Sequence, residues 1–305
     1  MWPSRKSTYD AIKTSLTTHN KSIRDMPGIH NTDHLNVLST QIVASVRRED
    51  YYQAVQRGPI PPRMADPNSE SFDAERAAHY HISNGNIDEA SWLIFLMTHF
   101  AKPPESGWLR LRDVYGRLGQ GIWTWADVSS DPNAFADWLD ANWHEIRGKF
   151  GNHRKYESIR PTANRNMRRV VNDYTAWIGQ AGHGAFFAQT IQQAGNDPHN
   201  IFDYFYRDMT VLSFGRLAKF DYLTLLARYN LAPIYPGSAY LNGATGPRAG
   251  ASLLFTGGRN SNLSVEDLQL RLDELDKSLS VGMAVIEDAL CNWQKSPAEF
   301  EHYLG

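Results

Sequence analysis

The segment Trp92-Leu-Ile-Phe-Leu-Met97 is apolar at every position. A helix through it is hydrophobic on all sides, so it belongs in an interior and the rest of the chain has to wrap it. Just before it, Asn86-Ile-Asp-Glu89 supplies a cap residue and an acid three positions on, which sets the helix start. The apolar stretch from Ala90 to Ala101 is about half of what a bilayer span needs, which predicts a core helix and no membrane segment. The opening Met1-Trp-Pro-Ser-Arg-Lys-Ser-Thr is polar, with no apolar run before a small-residue cleavage site, so a cytoplasmic location is expected.

Three- and four-residue apolar spacing continues along the chain. Leu35, Leu38, Ile42, Val46 and Tyr52 mark a helix over Thr32–Gln56, which Gly58-Pro-Ile-Pro-Pro stops, and Met64–Ser71 reads as a loop. Trp108, Leu111, Tyr115 and Leu118 predict a short helix ending at Gly119. Asp131-Pro132 starts another, with Phe135, Trp138, Leu139 and Ile146 on one face. Near the end, Ser264 and Asp267 form a capping pair, and Leu263 and Leu268 occupy the staple positions. Leu268, Leu272, Leu275, Leu279, Ile286 and Leu290 then trace one stripe, which predicts a single C-terminal helix of about seven turns. Strand–helix alternation and repeats are lacking; Ala251–Phe255 is the one segment that reads as a short strand. The expected fold is all-α, about a dozen helices, with a Gly-rich loop insert at Pro236–Gly258 and a long C-terminal helix. A chain of 305 residues can bury its core without staples. It reads as one helical unit over 1–305, with possible lobes at 1–80 (N-terminal helical segment) and 81–305 (catalytic helical core). The lone Cys291 excludes an internal disulfide and a multi-cysteine metal site, and reads as a buried thiol.

Charge is where the sequence departs most from an ordinary helical protein. The chain carries 31 Lys and Arg against 33 Asp and Glu, yet eight of those cations fall between Arg147 and Arg169: Arg147, Lys149, Arg154, Lys155, Arg160, Arg165, Arg168 and Arg169. Within that run only Glu157 opposes them. Such a patch suits phosphates and makes binding salt-dependent. Gly151-Asn152-His153 adds a flexible backbone and hydrogen-bond donors. A solvated helix face is the plainer reading, and a membrane surface a third.

Three other segments carry candidate chemistry. In Phe214-Gly-Arg-Leu-Ala-Lys-Phe-Asp-Tyr222, Leu217, Phe220 and Leu223 share a helical face, while Arg216, Lys219 and Asp221 are ionisable. Asp221 sits at the edge of the buried face, where partial desolvation beside cations would poise a carboxylate; an exposed Asp221–Arg228 pair is the alternative. Tyr235-Pro-Gly-Ser-Ala-Tyr-Leu-Asn-Gly-Ala-Thr-Gly-Pro247 is either a surface loop or a binding loop, in which Tyr240 would stack on a base and Asn242 read its edge. His99 closes the apolar helix as either a satisfied core histidine or a pocket residue. The pairs His30/His34 and His79/His81 lack a third ligand at a metal spacing, so no metal site is expected. Met26-Pro-Gly-Ile-His30 reads as a turn.

The chain resembles the alpha-glutamyl/putrescinyl thymine pyrophosphorylase group, clade 3. The residues that carry the resemblance are Trp92-Leu-Ile-Phe-Leu-Met-Thr-His-Phe100, Phe150-Gly-Asn-His-Arg-Lys-Tyr156, Ser213–Tyr222, Pro236-Gly-Ser-Ala-Tyr240 with Gly243-Ala-Thr-Gly-Pro247, and Glu287–Pro297. Pro27-Gly-Ile and Gln41–Arg48 extend it toward the N-terminus. The resemblance implies a helical enzyme, similar in its core to DNA glycosylases, that acts on hypermodified pyrimidines in DNA.

Two chemistries follow from it. In the favoured one, a DNA glycosylase flips and excises a bulky modified base, a use that fits defence against phage. Asp221 stabilises the sugar cation or activates water, with Lys219 as a reserve nucleophile. Lys149, Asn152, His153, Arg154, Lys155, Arg168 and Arg216 hold DNA, and His99, Tyr240 and Asn242 form the base pocket. In the alternative, an amine displaces pyrophosphate from a 5-(pyrophosphoryloxymethyl) pyrimidine; Arg216, Lys219 and Arg154 receive the leaving group, and Mg2+ enters only under this chemistry. A non-catalytic nucleic-acid-binding module is the third reading. DNA with modified pyrimidines is the expected partner, without a membrane or an obligate protein partner.

Overall fold

The apolar run forms α4 (Ile87–Phe100), in which every residue from Glu89 to Phe100 is buried. Asn86 caps it as expected, its side chain accepting from the Glu89 N–H at 3.2 Å. The computed structural model describes residues 2–302, and among these it is helical with no strand; the only β-type pairing is an isolated bridge between Ser158 and Asn166. The chain forms two compact units. One joins the residues up to Tyr52 with those from Pro236 onward, and the other runs Gln53–Tyr235.

In the second unit α4 is the axle. It packs against α3 (Ala74–Ser83), α5 (Leu109–Tyr115), α6 (Trp125–Ser130), α9 (Gly182–Ala194) and α11 (Arg216–Arg228). A pair of α7 (Pro132–Asn142) and α8 (Met167–Ile178) packs together, and α10 (Pro198–Asp208) lies against α9 and α11. The core is aromatic: Trp92, Phe95, Tyr174 and Tyr222 are fully buried. Phe95 stacks on Tyr174 with ring centroids 3.7 Å apart and on Phe214 at 5.1 Å. Each such ring contributes roughly 1.5–3 kcal/mol by leaving water. Local signals start the helices here: Asp131 caps α7 by accepting from Asn133 and Ala134, with Pro132 at the first position. The helix predicted through Leu118 stops at Tyr115, because Arg117 and Leu118 take left-handed backbone angles.

The first unit holds α1 (Lys6–Ser22), most of α2 (Thr32–Val55), α12 (Gly246–Thr256), α13 (Val265–Leu279) and α14 (Met283–Trp293). Two sequence expectations are corrected here. Ala251–Phe255 lies inside α12 rather than in a strand, so half of the Gly-rich insert is helical, with Pro247 in its first turn. The C-terminal stripe is two helices rather than one: Ser280 turns left-handed at φ 53°, and Asp276 Oδ1 accepts from the freed Val281 and Gly282 N–H groups at 3.0 and 2.9 Å. Cys291 is only partly buried. Polar residues between α2 and α14 are joined by Asp288, which takes Ser45 Oγ at 2.5 Å and the Arg48 guanidinium.

The Pro27-Gly28-Ile29 turn packs on α12. A Cβ on Gly28 would stand 2.2 Å from the Leu253 carbonyl oxygen, closer than any side chain tolerates. Gly28→Ala should therefore lower the unfolding free energy by about 1–3 kcal/mol. Urea denaturation measures this; an unchanged midpoint would show that the turn moves aside freely.

Candidate active site

The long segment between α7 and α8 carries most of the basic run, and it is pinned from the inside at five places. Asp113 takes the Arg147 N–H at 3.0 Å and its guanidinium at 2.9 and 2.7 Å. Arg110 Nη2 donates to the Gly148 carbonyl at 2.5 Å. The Gly151 N–H donates to the Phe100 carbonyl at 2.8 Å. A Cβ on Gly151 would lie 2.6 Å from that of Ala101, so this glycine serves close contact with the end of α4 and not the flexibility expected of it. Arg154 supplies the fourth anchor, and Asn166, capping α8 while donating to Ala163 at 2.8 Å, the fifth.

Arg154 is buried. Its Nη1 donates to the Ser213 carbonyl at 2.9 Å and its Nε to the His99 carbonyl at 3.3 Å, while Nη2 faces His99 Nδ1 at 3.5 Å and Glu157 at 3.8 Å. The cation also lies 5.1 Å from the Phe214 ring centre. The structure thus places Arg154 indoors, as the link between the basic loop, α4 and the turn before α11. Ser213 stands in that turn at φ 66°, a left-handed angle that costs a non-glycine residue energy and aims its carbonyl at the guanidinium. Three atoms in this cluster are buried without a hydrogen-bond partner: His99 Nε2, Ser213 Oγ and Glu157 Oε2. A guanidinium only donates, so His99 Nδ1 must accept and the proton sits on Nε2. Burial, and then the Arg154 charge, push the His99 pKa well down. His99 is therefore a neutral imidazole with an unspent donor.

Asp221 is in the second turn of α11, between the buried Phe220 and Tyr222, and keeps partial access to solvent. Burial raises its pKa, and the charges of His153, Arg216, Arg228 and Arg154, in that order, oppose the rise. These cations act on it electrostatically. The expected Asp221–Arg228 interaction is of this kind. Arg216 also lies over the Phe220 ring at 4.8 Å.

Other expected site residues are placed as follows. Lys219 turns to α10, where its Nζ donates to the Tyr206 carbonyl at 3.0 Å; residues two apart on a helix project about 200° apart, which separates it from Asp221. Arg168 is paired with Asp137 and with Asp140 at 2.7 Å across α7 and α8. Lys149, Asn152, His153 and Lys155 are exposed. Carboxylates distant in sequence thus neutralise part of the basic run, which reading along the chain did not reveal. Tyr240 and Asn242 belong to the first unit. Asn242 is exposed, and Tyr240, at φ 46°, donates its N–H to Ser238 Oγ at 3.1 Å.

One arrangement had no sequence expectation. Asp88 Oδ1 takes the His183 N–H at 2.6 Å and contacts Nδ1 at 2.9 Å; His183 Nε2 meets the Tyr174 hydroxyl at 2.7 Å, which meets the Tyr222 hydroxyl at 3.0 Å. The signal available was a histidine between two glycines, Gly182-His183-Gly184. Asp88 opens on a cleft of about 510 Å3 lined also by Glu89, His81, Tyr80 and Trp125. The first unit has a cleft of about 350 Å3 beside Ile12, Val46 and Leu279. Neither is lined by Asp221 or His99. Among the described residues no three His, Cys, Asp or Glu are grouped as a metal site, and no helix is long and apolar enough to cross a membrane.

The buried and exposed members of the basic loop separate cleanly in a stability experiment. Arg154→Met removes the buried cation, strips the Ser213 and His99 carbonyls of their donor and leaves Glu157 with Arg165 alone, so it should cost about 3–5 kcal/mol. Lys155→Met should stay within about 0.5 kcal/mol of the parent. Equal effects of the two in urea titrations would contradict the anchoring role.

Comparison with known proteins adds one positive finding. No curated protein and no solved structure matches the chain. The family model of alpha-glutamyl/putrescinyl thymine pyrophosphorylase clade 3 matches residues 33–305, a span that takes in α4, the basic loop, Asp221 and both C-terminal helices. The chain therefore belongs to the alpha-glutamyl/putrescinyl thymine pyrophosphorylase clade 3 family.

Proposed function

We propose that the protein is a DNA glycosylase that everts a bulky, modified pyrimidine and hydrolyses its N-glycosidic bond, an activity that would remove such bases from incoming phage DNA. Family membership implies an enzyme acting on modified pyrimidines in DNA. What supports the finer reading is a carboxylate, Asp221, on which the charges of His153, Arg216, Arg228 and Arg154 act, together with the neutral His99, whose Nδ1 faces Arg154 at 3.5 Å. Cleavage of the C1′–N1 bond sends its electron pair to the base and leaves positive charge on the sugar. Asp221 stabilises that charge, as carboxylates do in glycoside hydrolysis. Water then bonds to C1′, one of its protons passes to Asp221, and Asp221 gives that proton on to the departing base. Exposed Lys149, Asn152, His153 and Lys155, with Arg216, hold the flanking phosphates.

The second reading is transfer, and the family description favours it. There an amine nitrogen bonds to the 5-methylene carbon, the carbon–oxygen bond breaks, pyrophosphate departs with the electron pair, and Asp221 takes the proton from nitrogen. The cations about Asp221 suit that leaving group.

Incubation with phage DNAs carrying different 5-substituted pyrimidines, followed by mass spectrometry, tests both. Excision yields free base and an alkali-labile site, and Asp221→Asn should abolish both. Release of pyrophosphate with the glycosidic bond intact would establish transfer instead, and no product from the parent protein would leave only binding. Because burial raises the Asp221 pKa and the ionised form acts, the rate should fall on acidification at a pH above the ordinary carboxylate range. A rate constant down to pH 4 would remove Asp221 from the chemistry.

The grip has its own test. Lys149→Glu with Lys155→Glu should flatten the slope of log affinity against log salt by about 0.9 for each phosphate that is no longer neutralised. An unchanged slope would take this loop out of the DNA interface.

A further inference from the structure

Tyr156 is 74% exposed, more than any other large apolar residue described. Water-facing tyrosines are common, but this one stands between anchored neighbours. Arg154 two positions before and Glu157 one after are both buried, and the Glu157 N–H donates to the Arg154 carbonyl at 3.0 Å. The ring thereby projects outward between two buried neighbours. Lys155 Nζ lies 5.1 Å from its centre, and exposed Asn152 and His153 precede it on the same short turn. His153 also acts on Asp221 through space, which ties the turn to the candidate site.

An aromatic projection between anchored residues, with a cation and hydrogen-bond donors beside it, matches what a base stack requires. The ring replaces base–base contacts by stacking, and the charges meet the phosphates on either side. We infer that Tyr156 inserts into duplex DNA and fills the gap left by the everted nucleotide. The inference rests on the DNA-acting reading above and adds to it a residue that makes eversion cheaper. Tyr156 acts on the duplex and not on the reacting atoms, so it is a positioning residue.

The test uses the full chain and a duplex with one 5-hydroxymethyldeoxyuridine beside a single 2-aminopurine, whose fluorescence rises when its neighbour is unstacked. The parent protein should raise the signal. Tyr156→Ala should lose the rise and bind about ten-fold more weakly or worse, whereas Tyr156→Trp should keep both. The exposure of the ring makes misfolding of these variants easy to check by thermal melts matching the parent. If Tyr156→Ala binds and unstacks as the parent does, the insertion role is overturned, while salt-dependent binding by the parent leaves the proposed function standing. If the parent itself does not bind the duplex, both fall.

Discussion

The burial of one guanidinium organises the candidate site. Removing Arg154 from water is costly, and the cost is offset only because the Ser213 and His99 carbonyls, the Glu157 carboxylate and the Phe214 ring all converge on it. Those partners come from the basic loop, the end of α4 and the turn before α11. Satisfying one charge therefore fixes three segments at once. The left-handed backbone of Ser213 is explained by the same requirement, since its carbonyl has to face the cation. The spare donor on His99 follows as well, because the guanidinium dictates which imidazole nitrogen carries the proton.

Carboxylates from elsewhere in the chain reshape the basic run in a similar way. As a sequence it is eight cations against one acid. In space Asp113, Asp137, Asp140 and Glu157 hold Arg147, Arg168 and Arg165. These pairs shape the loop and leave Lys149, Lys155, Arg160 and Arg169 exposed without a carboxylate partner among the ion pairs above. Part of the run is thus neutralised in place, and Lys155 stays exposed on the turn that also presents Tyr156.

What could be read along the chain was what depends on neighbours in sequence. The caps at Asn86, Asp131 and Ser264 and the all-round apolarity of α4 are local properties, and each appears in the structure. The break at Ser280 was hidden because Leu279 and Ile286 keep their seven-residue spacing across it, so the stripe continues in phase through two helices. Ala251–Phe255 was ambiguous because short apolar runs suit either geometry; Gly250 settles it, packing so closely that a Cβ would stand 2.4 Å from the Leu290 carbonyl oxygen. In the site, Asp221 and the ring of cations were legible as residue types. Arg154 was not legible as an internal anchor, since its partners His99 and Ser213 lie 55 and 59 positions away.

The chain of groups from Asp88 to Tyr222 has a direction. The His183 hydrogen bond holds the Asp88 pKa down, so the carboxylate stays ionised and accepts, and burial keeps His183 neutral. His183 must then give its only proton to Asp88 and accept from Tyr174, which in turn is left to accept from Tyr222. All three bonds point toward the cleft, like dipoles poled by a single electrode. Neutralising that carboxylate would remove the reference that orients them, and the Tyr222 hydroxyl at the other end of the chain of bonds would lose its fixed direction.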